Sequence, residues 1–440
     1  MRSSSMGFIA LRSLACALVL GTAVADAQEP AAGTTSGRPV IAQQPLTLAH
    51  VYAAVDRGTP RIRASEALAR AARARVPGAT RPPDPTLQFG LMNYMLPELA
   101  ADPLLGMRQL QLMQMVPLPG KLAAAGRVVR ARADAAESRV ADARWTARAA
   151  AAMSFYERWG AERQVSIALE TRRLLEDVEA IATSMYRVGT GRQVDVLRAR
   201  VEIARMDEDV ERMRAMSEGA HARLAAELDM PMDSVSGAPS APAFPHTIPS
   251  RDSLLTLAFE NRPMLAAGLA EVKAAAAEHR LAARERWPDP QLGVQYAERS
   301  TAMGTERIGS LMIGATIPLW AGSRQLRMRD EAAAMREMTE ADLAAMRADT
   351  RGRVTEVHTA LASSRRLATL YRGTVLPQAE AAAASSLSAY RAGDVDFMTV
   401  VENRMTVNQY RMELIALDVS QGNAWAELEM LAGRTLMVTP

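Results

Sequence analysis

Between Thr86 and Pro318 the chain carries four short runs in which apolar residues fall at every second position. Leu87, Phe89 and Leu91 alternate with Thr86, Gln88 and Gly90; Leu292, Val294 and Tyr296 alternate with Gln291, Gly293 and Gln295; Leu311, Ile313, Ala315 and Ile317 alternate with Ser310, Met312, Gly314 and Thr316. A period of two predicts strands with one greasy and one polar face, placed at about 86–94, 107–117, 290–298 and 307–318. The run from Met107 to Val116 fits least well, because Gln114 falls on the greasy side. Elsewhere the pattern is helical. From Leu122 to Tyr186 there is no proline, glycine is scarce, and Ala, Arg, Glu and Leu dominate, so a single helix there runs about 100 Å at 1.5 Å per residue. The matching stretch from Arg324 to Tyr390 holds Gly352, Gly373 and Pro377 and is expected to bend or break where the first does not. Helices this long must bury an apolar stripe laterally, and abundant Ala lets their axes approach closely, as in coiled coils.

The elements come twice. Pro83-Asp84-Pro85-Thr86-Leu87 returns as Pro288-Asp289-Pro290-Gln291-Leu292, Val116-Pro117-Leu118 as Ile317-Pro318-Leu319, and Tyr186-Arg187-Val188-Gly189 as Tyr390-Arg391-Ala392-Gly393; Pro60 and Pro263 keep the same order. Self-similarity at one spacing marks a duplicated structural unit. The first unit spans 46–229 and the second 251–434, each ordered helix, strand hairpin, very long helix, tight turn, helix. Between them, 230–250 is a linker, since Pro231, Pro239, Pro242, Pro245 and Pro249 exclude both a continuous helix and a central strand.

At the N-terminus, Arg2 and Arg12 precede an apolar run from Leu14 to Val24, and Ala25-Asp26-Ala27 supplies a small-x-small site, the pattern of an export signal over residues 1–27. The mature chain then starts near Gln28 with a flexible segment to residue 45, and 435–440 form a C-terminal tail. The only cysteine, Cys16, lies inside this signal, so disulfides drop out of consideration. The rival reading, lipid attachment at Cys16, suffers from Ser13 standing where such a signal wants Leu and from the apolar run continuing past the cysteine. After residue 28 no uncharged stretch approaches the roughly 20 residues of a membrane-spanning helix, so a membrane span must be made of strands. Strands of about 9 to 12 residues suit a tilted bilayer crossing, and Trp287 and Trp320 sit where interfacial aromatics belong. A soluble antiparallel sheet with one wet face is the alternative. Export, paired hairpins and 100 Å helices together favour a membrane barrel, and since a lumen needs about eight strands or more, four strands require several copies of the chain.

Composition narrows the function. A net charge of only +3 gives little support for nucleic-acid binding. His50, His221, His246, His279 and His358 lie far apart without zinc-type spacing, and Gly189-Thr190-Gly191 lacks the strand and the Lys-Ser/Thr pair of a phosphate loop. No catalytic group, cofactor or metal site is assigned, and the chain is not an enzyme. Met113 and Met115 share one strand face, where thioethers can hold Cu(I), although with 26 Met in the chain the usual role is filler.

The pieces Pro83-Asp84-Pro85-x-Leu87, Pro288-Asp289-Pro290-x-Leu292, Val116-Pro117-Leu118-Pro119-Gly120-Lys121, both Tyr-Arg-x-Gly turns and Val196-Leu197-x-Ala199-Arg200 together resemble the TolC-like outer-membrane efflux proteins, the Pro-Leu-Pro-Gly-Lys junction being most similar to the heavy-metal branch. The second turn departs from the family, with Val400-Val401-Glu402-Asn403-Arg404 in place of an apolar-acidic-Ala run. The resemblance implies a mainly α fold with a membrane β-barrel part: a homotrimer with one shared barrel of about twelve strands and a helical tunnel through the periplasm. It implies an outer-membrane exit duct of a tripartite efflux system, passively conducting metal cations or drugs. Its partners would be a periplasmic adaptor, an inner-membrane pump of the resistance-nodulation-division type, and outer-membrane lipid. A type I protein secretion outlet and a soluble periplasmic coiled-coil scaffold are the alternatives. On that architecture Leu87, Phe89, Leu91, Leu292, Val294, Leu311 and Ile313 face lipid. Tyr390, Arg391, Asp394, Asp396 and Glu402 form the pore entrance, where rings of acids would attract cations, unless Asp394 and Asp396 merely cap the last helix. Arg187, Gly189, Val196, Leu197, Gly393, Val400 and Val401 are expected as exposed adaptor-docking tips.

Overall fold

The computed structural model describes residues 45–437 apart from 96, 98, 99, 103, 104 and 302. The expected export signal, the lipidation question at Cys16 and the segment 28–44 lie outside the described residues, as does the end of the tail, 438–440.

Each repeat opens with two helices, where the sequence pattern suggested one. They are α1 (Leu48–Asp56) and α2 (Pro60–Ala74) in the first repeat, followed by the single turn α3 (Val76–Ala79), and α6 (Arg251–Asn261) and α7 (Pro263–Arg284) in the second. The break falls at Pro60 and Pro263, each the first residue of its helix, where proline's missing N–H costs nothing and its fixed φ starts a new helix. The strands follow. In the first repeat β1 (Thr86–Met92) ends before Asn93, which takes φ 54° and turns the chain, so the expected strand stops short of residue 94. A small hairpin of β2 (Tyr94–Met95) and β3 (Ala100–Ala101), not foreseen from the alternation, bridges to β4 (Met107–Met115). In the second repeat β5 (Asp289–Thr301) and β6 (Gly304–Thr316) form one long hairpin turned at Gly304. The four long strands make one antiparallel sheet in the order β1-β4-β5-β6, so the two hairpins join through β4 and β5.

The rod expected from residue 122 to 186 is the unbroken α4 (Lys121–Arg187), returning as α5 (Gln193–Glu227). Its counterpart is α8 (Gln325–Leu370), a π-turn over Tyr371–Val375, and α9 (Leu376–Ala392), which returns as α10 (Phe397–Ala432). Gly352 stays inside α8. The interruption belongs to Pro377, which cannot donate to the carbonyl four residues back, and a widened turn absorbs that loss.

Small side chains form the contact surface of the rods: Ala124, Ala131, Ala135, Ala147, Ala151 and Ala152 of α4 are buried. Two larger cores lie near the linker. Phe155 and Tyr156 of α4 pack with Leu46, Val51, Ile62 and Leu224, and Trp425 of α10 packs with Leu254, Val357, Leu361 and Leu428. Arginines hold the linker to these cores by its carbonyls. Arg158 donates to Val235 O and Gly237 O, both at 2.9 Å, and Arg365 to Pro245 O and His246 O. Among the described residues no helix is long and apolar enough to cross a membrane.

Candidate functional site

Residues directly opposite one another in an antiparallel ladder point to the same face. The register puts Phe89, Leu110 and Tyr296 in one row, Leu87, Leu112, Val294 and Leu311 in the next, and Leu292 with Ile313 beyond them. All seven residues expected to face lipid therefore share one face, and each is exposed, from 42% at Leu91 to 77% at Ile313. The opposite face carries Gln88, Gln109, Gln111, Gln291, Gln295 and Ser310 in register, and Gln295 Nε2 donates to Gln109 Oε1 at 2.6 Å. On the two central strands this polar face is the more enclosed one: Gln109, Gln111 and Gln295 are half-buried and Ala297 is buried, while Leu110, Leu112 and Val294 are exposed. Side chains crowd together on one side of the sheet and stand free on the other. Gln114, the misfit of the alternation, donates to the carbonyls of Pro83 and Met115, both at 2.7 Å, so its amide is satisfied by backbone at the strand end.

The junction below the sheet joins the repeats. Asp289, at the start of β5, accepts from Leu118 N at 3.2 Å and from Lys121 Nζ at 2.9 Å, and Nζ also donates to Trp287 O at 2.9 Å. Lys121 is buried, which a charged amine tolerates only with partners of this kind. Trp287, Ile317, Leu319 and Trp320 are exposed around this end of the sheet.

At the far end of the long helices Gly189 and Gly393 adopt φ 78° and 84°, the left-handed conformation that ends a helix without a Cβ clash. Here the packing corrects the expected docking tips. Val196, Val400 and Val401 are not exposed; they are 7%, 0% and 3% accessible in a core with Val178, Ala182, Ala199, Tyr390 and Phe397. They lie on the faces of α5 and α10 that the two hairpins turn toward each other. Arg187, Gly189, Leu197 and Gly393 are exposed, and Leu197 continues an apolar stripe with Val188, Val194 and Val201.

The pore-entrance residues also divide. Tyr390 is buried, its ring 5.8 Å edge-on from Phe397, and burial followed by the charge of Asp195 pushes its hydroxyl up to about 12. Asp195, buried in the first turn of α5, is the residue that sequence reading missed: nothing in its local pattern shows that α9 lies opposite. Arg391, Asp394, Asp396 and Glu402 are exposed. Asp396 caps α10, accepting from Met398 N at 2.7 Å. Among the described residues the ion pairs within the chain do not include Arg391 with Asp394, Asp396 or Glu402. No group of three or more His, Cys, Asp or Glu side chains among the described residues could hold a metal ion.

A sheet with one greasy and one glutamine-lined face is thus set on helical rods of unusual length, a combination that can be compared with known proteins. Residues 254–434 match the sequence model of the family described as outer membrane efflux protein. The whole fold is similar to solved channels at low identity. The outer-membrane channel OprN shares 18% identity at TM-score 0.76, over 88% of this chain and 89% of that one. The outer membrane protein VceC of Vibrio cholerae shares 17% at 0.73, over 89% and 97%. CusC, a transmembrane channel, shares 16% at 0.72, over 88% and 92%. By sequence alone no curated protein is matched. Over residues 254–434 the chain is thus similar in sequence to the outer membrane efflux proteins, and over most of its length it has the fold of these solved channels.

Proposed function

We propose that three copies of the chain close one barrel of about twelve strands and that the assembly is the passive exit duct of a tripartite efflux system. An adaptor in the periplasm and an inner-membrane pump of the resistance-nodulation-division type deliver metal cations or drugs to it. The observation that carries this reading is the open sheet: one face is apolar, the other is polar, and β1 and β6 are left as edges. An exposed edge that long is a template for another strand, and four strands cannot enclose a lumen. The apolar face also argues against a soluble scaffold.

The duplication specifies how the edges meet. The relation that lays Pro83-Asp84-Pro85 on Pro288-Asp289-Pro290, and Pro117-Leu118 on Pro318-Leu319, carries the pair Thr86↔Met113 onto Gln291↔Gly314, and both pairs are present. Applied to the β4–β5 seam, with Leu112↔Val294 and Leu110↔Tyr296, the same relation sets Ile313 opposite Phe89, and Leu311 opposite Leu91, of the neighbouring copy. Phe89→Cys combined with Ile313→Cys should therefore yield covalent trimers on oxidation in membranes. Phe89→Cys with Ile317→Cys, four residues out of register, should not. Monomers from both, seen on denaturing gels, would refute the shared barrel.

A further inference from the structure

The polar face of the sheet holds residues that its glutamines do not explain. Met113 of β4 and Met312 of β6 lie in one ladder row, separated only by Gly293 of β5. A Cβ at residue 293 would stand 3.2 Å from Met312 Cε and 3.4 Å from Met113 Cγ, so the two methionine side chains lean in over the glycine from the strands on either side. Met115, two residues along β4, points to the same face, and Gln111, Gln295 and Ser310 make up the adjoining row. Methionine usually serves as filler in apolar cores. These three are half-buried on the polar, enclosed side of the sheet, and none belongs to a core.

A thioether carries no charge, takes up no proton in water and makes only weak hydrogen bonds, so it offers little to a water-lined wall. What it does offer is soft donation, which selects Cu(I) over hard cations, and Ag(I) shares that preference. Two thioethers across a bare backbone, with a third beside them, form a donor set free of histidine, cysteine and carboxylate. Binding by such a set is independent of pH and weak enough to release, as conduction through successive sites requires.

We propose that Met113 and Met312, with Met115 alongside, form a docking site for a soft monovalent metal ion on the inner wall of the barrel. The inference rests on the polar face being the lumen, and it narrows the conducted cargo to include Cu(I) or Ag(I). The test uses the full trimer in lipid nanodiscs with ¹³C-methyl-labelled methionine and Ag(I) as the probe, which needs no reductant. The Met113 and Met312 methyl signals, identified through the Met113→Leu and Met312→Leu variants, should shift together and before those of exposed methionines such as Met303. K⁺ should shift neither, and the double variant should lose the first silver-binding step. Signals of exposed methionines moving at the same silver concentration would overturn the site. A water-soluble thiol reagent applied to the Gln295→Cys variant reads the lumen separately. Silver binding with the introduced thiol shielded from the reagent would overturn the duct reading and with it the site's place on a lumen wall, and labelling without silver binding would overturn the site alone.

Discussion

At the scale of single residues, the sheet is governed by which side of the ladder a side chain occupies. Val294 and Gln295 are neighbours in sequence, yet Val294 lies between Leu112 and Leu311 on the apolar face and Gln295 between Gln111 and Ser310 on the polar one. A cationic side chain near the bilayer midplane costs about 2–4 kcal/mol on the lipid face of a barrel, while lumen positions tolerate charge. Val294→Arg should therefore reduce the yield of heat-resistant trimers in outer-membrane fractions. Gln295→Arg should assemble and alter single-channel conductance. Equal assembly of the two would contradict the assignment of faces. The residues that carry the family resemblance have a structural explanation at the same scale: Lys121 of the Pro-Leu-Pro-Gly-Lys junction and Asp289 of the second Pro-Asp-Pro clamp one repeat to the other.

At the scale of elements, the two long helices differ in one respect, the π-turn at Tyr371–Val375. Arg372 in that turn donates to Asp418 of α10 at 2.6 Å, and Tyr371 packs edge-on against Tyr410 at 5.8 Å, so the widened turn is tied to the helix beside it. Asp418 is buried, and burial holds its carboxyl above the ordinary carboxylate range, with Arg372 pulling the other way. A folded-state value above the unfolded one means that this group's contribution to stability is fully present below the ordinary carboxylate pKa and is lost as pH rises through the raised value. Asp418→Asn should flatten the corresponding fall in Tm between acidic and neutral pH, measured by calorimetry on the trimer. An unchanged slope would show that Asp418 does not titrate in that range.

At the scale of the whole molecule, the helical tips would frame the mouth of the proposed duct. Arg391, Asp394 and Glu402 are exposed and make no ion pair with one another, so in a trimer they are available to neighbouring copies and to ions. An exposed pair contributes only about 0.2–1 kcal/mol; several repeated by symmetry can hold a closed mouth and still yield to a docking partner. Asp394→Asn combined with Asp396→Asn should weaken the preference for K⁺ over Cl⁻ in planar-bilayer recordings. The cap of α10 should survive, because Asn caps a helix as well as Asp does. Arg391→Ser should raise conductance. Selectivity unchanged by the double neutralisation would reduce these acids to helix caps.

Local pattern determined much of this fold. Period-two alternation located the four long strands and sorted their faces, the scarcity of Pro and Gly from 122 to 186 set out a continuous rod, Pro377 marked the interruption of its partner, and the repeated motifs exposed the duplication. Each of these signals depends on near neighbours in the chain or on a recurring string, which is why it is legible in the chain itself. Val196, Val400 and Val401 are different. Their apolar character was plain, but whether they meet solvent or one another depended on two hairpins about 200 residues apart in sequence, and only packing placed both sets face to face. Asp195 beside Tyr390, and Met113 leaning toward Met312 over Gly293, are decided in the same way. Such pairs arise from strand register and helix packing between the repeats, and a sequence carries that information only through the complete fold.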